Sequence, residues 1–426
     1  MRKTIVQVLT VLFAVGFLSQ LVFAGGVDNK QNFSANYIGS ASRNAAIDGA
    51  DIAAYNPAGI MQLENGMYAE LDTQIFSLDY DHNIAGQGYG ISENPIVPSL
   101  FTIYKKDKWA AYGTFTINGG GGKVEYEQGN IITESIGNAL AAGAFGASLI
   151  GGTLQDEFAG VESIYYTFTA GGSYAINDIF SVSAGARYVV TTKEVDIHGT
   201  YIKGVPINIV GKYEQDAKGY GGVLGLNIRP KKNINVAFRY ETKVELDWDT
   251  DVDPASTAIG LGILTSKGKI DGQKEARDLP AVFAAGLVWN VTPKLSISPS
   301  YTLYFEKDAD WDPTQNSKTT KNSYDLAISV GYSFNDKLSA SLGYMYTEIG
   351  LTPDDYSLTE QMSPPLDCNT VAVGLKYKVN EKLSISSGLM GNFYISESAA
   401  AVSVSPAVEY EKTNYVVAFN LQYKFF

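Results

Sequence analysis

The chain of 426 residues carries 43 glycines, 28 tyrosines and 19 phenylalanines, but one cysteine and two histidines. That composition favours many strands and turns over a helical bundle or a doubly wound enzyme, and the lone Cys368 excludes an intramolecular disulfide and any cysteine cage for zinc or iron–sulfur. An excess of 45 Asp and Glu over 32 Lys and Arg argues against nucleic acid as a partner.

Arg2 and Lys3 precede an apolar run from Thr4 to Ala24 that exits on Val22-Phe23-Ala24. Residues 1–24 therefore read as a secretory signal peptide rather than a membrane anchor. No later stretch offers the ~20 continuous apolar residues of a membrane helix. The choice is between a soluble secreted protein and an outer-membrane barrel. Residues 25–66 do not alternate as strands do. Ala45, Ala46, Ile47, Ala50, Ile52, Ala53 and Ala54 favour short helices, and Asn56-Pro57 stops the last of them because the residue before proline resists helical dihedrals. So compact a piece ahead of a barrel belongs in its lumen, as a plug.

From Met67 onward the period is two. In Tyr324–Phe334 one face holds Tyr324, Leu326, Ile328, Val330, Tyr332 and Phe334, the other Asp325, Ala327, Ser329, Gly331 and Ser333. Apolar groups to lipid and small or polar ones to a lumen is what a transmembrane barrel needs, and closure follows because an open edge in lipid leaves backbone groups unsatisfied. The strands expected are 67–80, 97–104, 109–118, 161–176, 179–193, 211–229, 233–248, 279–289, 294–306, 322–334, 337–348, 369–379, 382–395 and 407–426. Six short polar turns alternate with seven longer segments near 81–96, 118–160, 194–210, 248–277, 307–320, 349–368 and 397–406. Thirteen connections give fourteen strands and put both chain ends on the periplasmic side. The expected fold is all-β, an antiparallel transmembrane barrel over 67–426 with a helical hatch over 25–66.

Ser42-Arg43-Asn44-Ala45 and the run Asp48-Gly49-Ala50-Asp51-Ile52-Ala53-Ala54-Tyr55-Asn56-Pro57-Ala58-Gly59-Ile60 resemble the hatch signature of the FadL family of outer-membrane transporters for long-chain fatty acids and other hydrophobic compounds. Leu279-Pro280 and Pro364-Pro365-Leu366-Asp367 resemble family features more weakly. The resemblance implies a fourteen-stranded barrel, a lumen hatch and passive transport. It also implies an apolar docking site on external loops and a sideways exit at a distorted third strand, here the strand ending in Asn118-Gly119-Gly120-Gly121-Gly122.

Within 123–160, Ile132, Ile136 and Leu140 recur at every fourth residue and would share one side of a short helix, with Phe145 nearby. An external loop need not be so apolar, and such surface marks an interaction site. On the lumen phase lie Arg187, Lys193 and Arg239, cations that could meet a carboxylate or could brace the wall with acidic partners. Asn56, Pro57, Ala58 and Gly59 form the hatch motif. His82 and His198 lie in or beside long loops without a nucleophile motif, so an enzyme is not expected. Asp247, Asp249, Asp251 and Asp253 read as an acidic rim, lacking the glycine and terminal glutamate of a calcium loop. No metal or cofactor is expected. The expected protein is a monomeric passive transporter in the outer membrane of a Gram-negative-type bacterium, taking hydrophobic small molecules and surrounded by outer-membrane lipid. A hydrophilic diffusion porin is the alternative; it would lack both plug and apolar loop.

Overall fold

A computed structural model describes residues 31–310, 321–353, 356 and 358–426. The expected signal peptide and the first residues of the hatch lie outside them.

The described residues form one antiparallel sheet of eighteen segments that compose fourteen spans. The first half comprises β1 (Gly66–Ile84), β2 (Gln87–Glu93 and Ile96–Lys106), β3 (Trp109–Tyr126), β4 (Thr153–Ala175), β5 (Phe180–Lys203), β6 (Val205–Lys231) and β7 (Ile234–Glu241 and Asp247–Val252). The second half is β8 (Lys274–Ala276 and Val282–Asn290), β9 (Leu295–Tyr304), β10 (Ser323–Ser333), β11 (Leu338–Glu348), β12 (Cys368–Lys378), β13 (Leu383–Tyr394) and β14 (Val408–Lys424). A short segment, Glu397–Ala399, also pairs with β14. The sheet closes on itself through β1 and β14, in register from Tyr68↔Lys424 to Asn83↔Glu409.

The alternation has the sense a bilayer requires. On β10, Leu326, Ile328 and Val330 are 56%, 48% and 40% exposed while Ala327 and Ser329 are buried. On β14, Tyr415, Val417, Phe419 and Leu421 face out, and Val416, Ala418 and Asn420 face in.

Three expected loops are strand instead. The segment 81–96 is a hairpin that turns at Ala85-Gly86, and 194–210 is a second that turns at the single residue Gly204, each turn in the left-handed region. Likewise β3 continues to Tyr126 and β4 begins at Thr153, so the loop expected over 118–160 shrinks to 127–152. Conversely, the strand expected over 233–248 is interrupted between Glu241 and Asp247.

Inside the lower barrel sits the hatch: α1 (Ala35–Ile38), α2 (Ile52–Tyr55) and a 3-10 turn, Pro57–Gln62. Ser34 caps α1 by accepting from the Tyr37 amide at 3.1 Å. Phe33, Tyr37, Ile38, Ile52, Tyr55 and Ile60 form one apolar cluster with wall residues Tyr68, Phe101, Tyr112, Met345 and Met390. Across the lumen the hatch backbone lies directly on wall glycines. A β-carbon on Gly343 would sit 2.0 Å from the Ser40 carbonyl oxygen, and one on Gly388 would sit 2.6 Å from that of Ala35.

Candidate functional site

The loop between β3 and β4 carries α3 (Ile131–Ala141), whose first turn is closed by a capping box: Asn130 accepts from the Ile132 amide at 2.9 Å, and Thr133 returns to the Asn130 amide, also at 2.9 Å. The cap sets the helix phase, which turns Ile131, Ile132, Ile136 and Leu140 inward. Across from them stands α4 (Ala258–Ser266), from the loop between β7 and β8, whose Ile263 and Leu264 belong to the same apolar cluster.

Between these helices and the segment 399–410 lies a cavity of about 510 Å³, lined among others by Ile132, Ile136, Phe145, Ile263, Leu264 and Tyr410. Three of the four apolar residues singled out in the sequence thus meet at one cavity. Leu140 does not line it; it is fully buried behind the lining. Phe145 is 36% exposed at the rim, where a β-carbon on Gly262 would lie 2.9 Å from its ring. Lys267 and Lys269 also reach the lining, and Lys269 is held to Glu275 at 2.6 Å.

Sequence reasoning missed the layer beneath. His82 and Tyr126 are 3.0 Å apart, Tyr126 donates to the Met362 carbonyl at 2.8 Å, and Tyr410 meets the His82 ring edge-on at 5.0 Å. All belong to, or pack into, the apolar cluster that fills the outer lumen. The signal was available: above the bilayer the inward face becomes the apolar one.

The three lumen cations differ in their surroundings. Arg187 bonds the Glu241 carboxylate and donates to the Thr242 carbonyl at 2.9 Å. Arg239 bonds Glu241 at 3.2 Å and donates to the Ala54 carbonyl and the Gln31 side chain, bracing wall against hatch. Lys193 is 5% exposed, and its ammonium lies 4.6 Å over the Trp248 ring. Among the described residues it has no ion-pair partner.

The hatch motif is tied to the wall at every residue but one. Asn56 donates to the Ala46 carbonyl at 2.9 Å and to Asn227 at 2.8 Å, and accepts from the Gly59 amide at 3.1 Å. The carbonyls of Pro57 and Ala58 accept from Ser173 and Ser181 at 2.6 and 2.8 Å. Gly59 makes room for the Asn56 side chain: a β-carbon there would lie 2.2 Å from its amide nitrogen and would displace it from its bonds to Ala46 and Asn227. From the opposite wall, Asp72 accepts from the Ala35 amide at 2.6 Å and Glu70 from the Ala50 amide at 2.8 Å. These two carboxylates could have been found as those on the inward phase of β1, since Asp79 and Asp81 lie on its outward phase.

A closed outer-membrane barrel with an internal hatch and an external cavity lined in part by Ile132, Ile136 and Phe145 is the architecture of a transport channel for hydrophobic compounds. The chain belongs to the family described as outer membrane protein transport protein (OMPP1/FadL/TodX), whose model matches residues 15–425. It is similar in fold to a Pseudomonas aeruginosa FadL homologue, at 15% identity over 95% of this chain and 100% of that one, with a TM-score of 0.68. The P. putida toluene transporter TodX shares 14% identity over 93% and 99% of the chains, TM-score 0.64. The Ralstonia pickettii toluene transporter TbuX shares 15% over 94% and 100%, TM-score 0.62. No curated protein matches the sequence significantly.

Proposed function

We propose that the chain takes up long-chain fatty acids by passive movement from the external cavity into the lumen. The observation that carries this reading is the cavity bounded by Ile132, Ile136 and Phe145. Burial of hydrocarbon gains about 0.8 kcal/mol per CH₂, so an acyl chain gains useful affinity there without any specific polar contact. A fatty acid must also place a carboxylate. With Arg187 and Arg239 committed to Glu241 and the hatch, the head-group role falls to Lys193, which is buried and, among the described residues, stands over the face of Trp248 without an ion-pair partner. The hatch, held through Asn56, Pro57 and Ala58, excludes ions and polar solutes.

The reading is tested by titrating wild type and Lys193→Met with fluorescent palmitate and with toluene. Removing a charge-assisted contact costs about 1.5–3 kcal/mol, so palmitate affinity is expected to fall at least about tenfold while toluene is unaffected. Equal loss for both would assign Lys193 to scaffolding. Toluene binding without any palmitate binding would move the substrate class to uncharged hydrocarbons.

A further inference from the structure

The outer lumen is filled in part by a segment of the loop between β11 and β12. Its short helix α5 (Leu358–Met362) packs against α3 and β4, and Pro353, Tyr356 and Gln361 line the external cavity. Leu351, Tyr356, Met362 and Leu366 are all buried and belong to the apolar cluster of the outer lumen. The segment is also tied down through its backbone. The carbonyls of Met362, Pro364 and Pro365 accept from Tyr126, Lys412 and Tyr356 at 2.8, 3.4 and 2.6 Å. A solute that leaves the cavity for the lumen therefore meets this segment before it meets the hatch.

One charge goes in with it. The Glu360 carboxylate is fully buried and forms an ion pair with Arg277, itself buried between the two segments of β8. Arg277 is a neighbour of the lysine assigned to the head group. Its carbonyl accepts from the Trp248 indole at 3.3 Å, and the ring of that indole carries the Lys193 ammonium at 4.6 Å. Arg277 and Lys269 lie near enough to Lys193 to repel its charge, while Lys269 is held to Glu275 at 2.6 Å. Glu360 is thus a carboxylate on a segment whose Met362 and Leu366 are buried in apolar surroundings, set beside a group of buried cations. A fatty acid offers the same two parts, a carboxylate and hydrocarbon.

Separating a buried ion pair is strongly unfavourable, because each charge is left behind in an apolar interior. An uncharged hydrocarbon that pushed the segment aside would have to separate Glu360 from Arg277 and put nothing in its place. A solute carboxylate that takes the place of Glu360 keeps Arg277 paired throughout, and Glu360 regains water as the segment lifts. We propose that Glu360 is an internal stand-in for the substrate carboxylate: it holds the segment in the outer lumen through Arg277, and a fatty acid opens the way by exchanging with it there. The pair therefore selects for carboxylates before the head group reaches Lys193. This inference rests on the fatty-acid uptake proposed above and adds to it the step that admits the solute to the lumen.

The test reads the segment directly. In a Cys368→Ala background, Met362→Cys places a thiol at a fully buried position. Its alkylation by a polar maleimide is expected to be slow in the purified protein and to speed up with saturating palmitate. Hexadecanol, the same chain without the charge, is expected to leave the rate unchanged. Adding Glu360→Gln is expected to raise the rate at least about tenfold with no solute present, since one charge-assisted contact is lost. Palmitate that binds in a fluorescence titration without changing the rate overturns the inference and leaves the uptake reading standing. So does a Glu360→Gln rate equal to that of its parent, or equal acceleration by hexadecanol. Should Met362→Cys give no heat-modifiable barrel, Gln361→Cys, half-buried beside it at the cavity, carries the label with the same outcomes. A protein that binds no palmitate at all removes the uptake reading, and this inference with it.

Discussion

Truncating the cavity lining separates recognition from folding. Ile136 is 8% exposed and Phe145 36%, and both face the 510 Å³ cavity. Changing either to alanine takes away about three methylene equivalents or a ring, of which roughly half contacts a bound chain. At about 0.8 kcal/mol per CH₂ that is about 1 kcal/mol each, and about 2 kcal/mol together, or roughly thirtyfold in Kd. Leu140 provides the contrast. It is fully buried one turn along the same helix but off the cavity, so Leu140→Ala costs about 3 kcal/mol of stability and leaves affinity nearly unchanged while the loop is folded. Fluorescent-palmitate titration in detergent gives Kd, and heat-modifiable gel migration confirms the folded barrel. An unchanged Kd in the Ile136→Ala/Phe145→Ala double variant would refute the docking site, as would equal weakening by Leu140→Ala.

Asn56→Ala removes all three hatch contacts of that side chain; at about 1 kcal/mol each the hatch loosens in an intact barrel, and planar-bilayer recording is expected to show ion conductance that wild type lacks. Gly343→Val drives a side chain into the Ser40 carbonyl and is expected to raise conductance in the same way from the opposite wall. Burial lifts the Glu306 carboxyl from 4.5 to about 7, against the opposing hydrogen bond from Ser323. The folded loop between β9 and β10 therefore holds a proton that the unfolded chain releases, so stability is complete below pH 4.5 and is lost as pH rises through 7. Limited proteolysis of that loop is expected to speed up over this window in wild type and to be flat in Glu306→Gln.

Much of this was legible because lipid and lumen impose opposite demands on alternate residues, as in Leu326 and Ala327. The misreadings share one physical cause. On β5 the inward phase runs Ser181, Ser183 and Arg187 within the bilayer, then Val195, Ile197 and Tyr201 above it, while the outward phase passes from Phe180 and Val182 to Glu194 and Asp196. The chain never leaves the strand; the solvents exchange sides. Read for lipid-facing alternation, the inverted stretch looks like irregular loop, and so 194–210 was expected as one. The interruption at 242–246 escaped notice for a related reason, since Val244 and Leu246 keep period two while the backbone leaves the ladder. Roles of the lumen cations were not legible at all, because sequence shows a charge but not whether Glu241 or Trp248 answers it.

The inversion also bears on where a solute can go. Above the row through Tyr166 and Val190 the interior is an apolar cluster that includes Tyr126, Ile197, Tyr201 and Tyr213, alongside the buried ion pairs Lys269–Glu275 and Arg277–Glu360. Below it the lumen belongs to the hatch, whose backbone touches wall glycines on one side and is bonded to serines on the other. Beside the hatch lies a crevice of about 340 Å³ lined by serines such as Ser298 and Ser341 together with Ile47, Ile234, Val288 and Leu375. An acyl chain moving down from the upper interior meets the hatch backbone where it lies on Gly343 and Gly388 and where it is bonded to Ser173 and Ser181. The hatch has to shift before the chain can pass, so the step below the row is limited by space, and loosening the Asn56 contacts is what would open it.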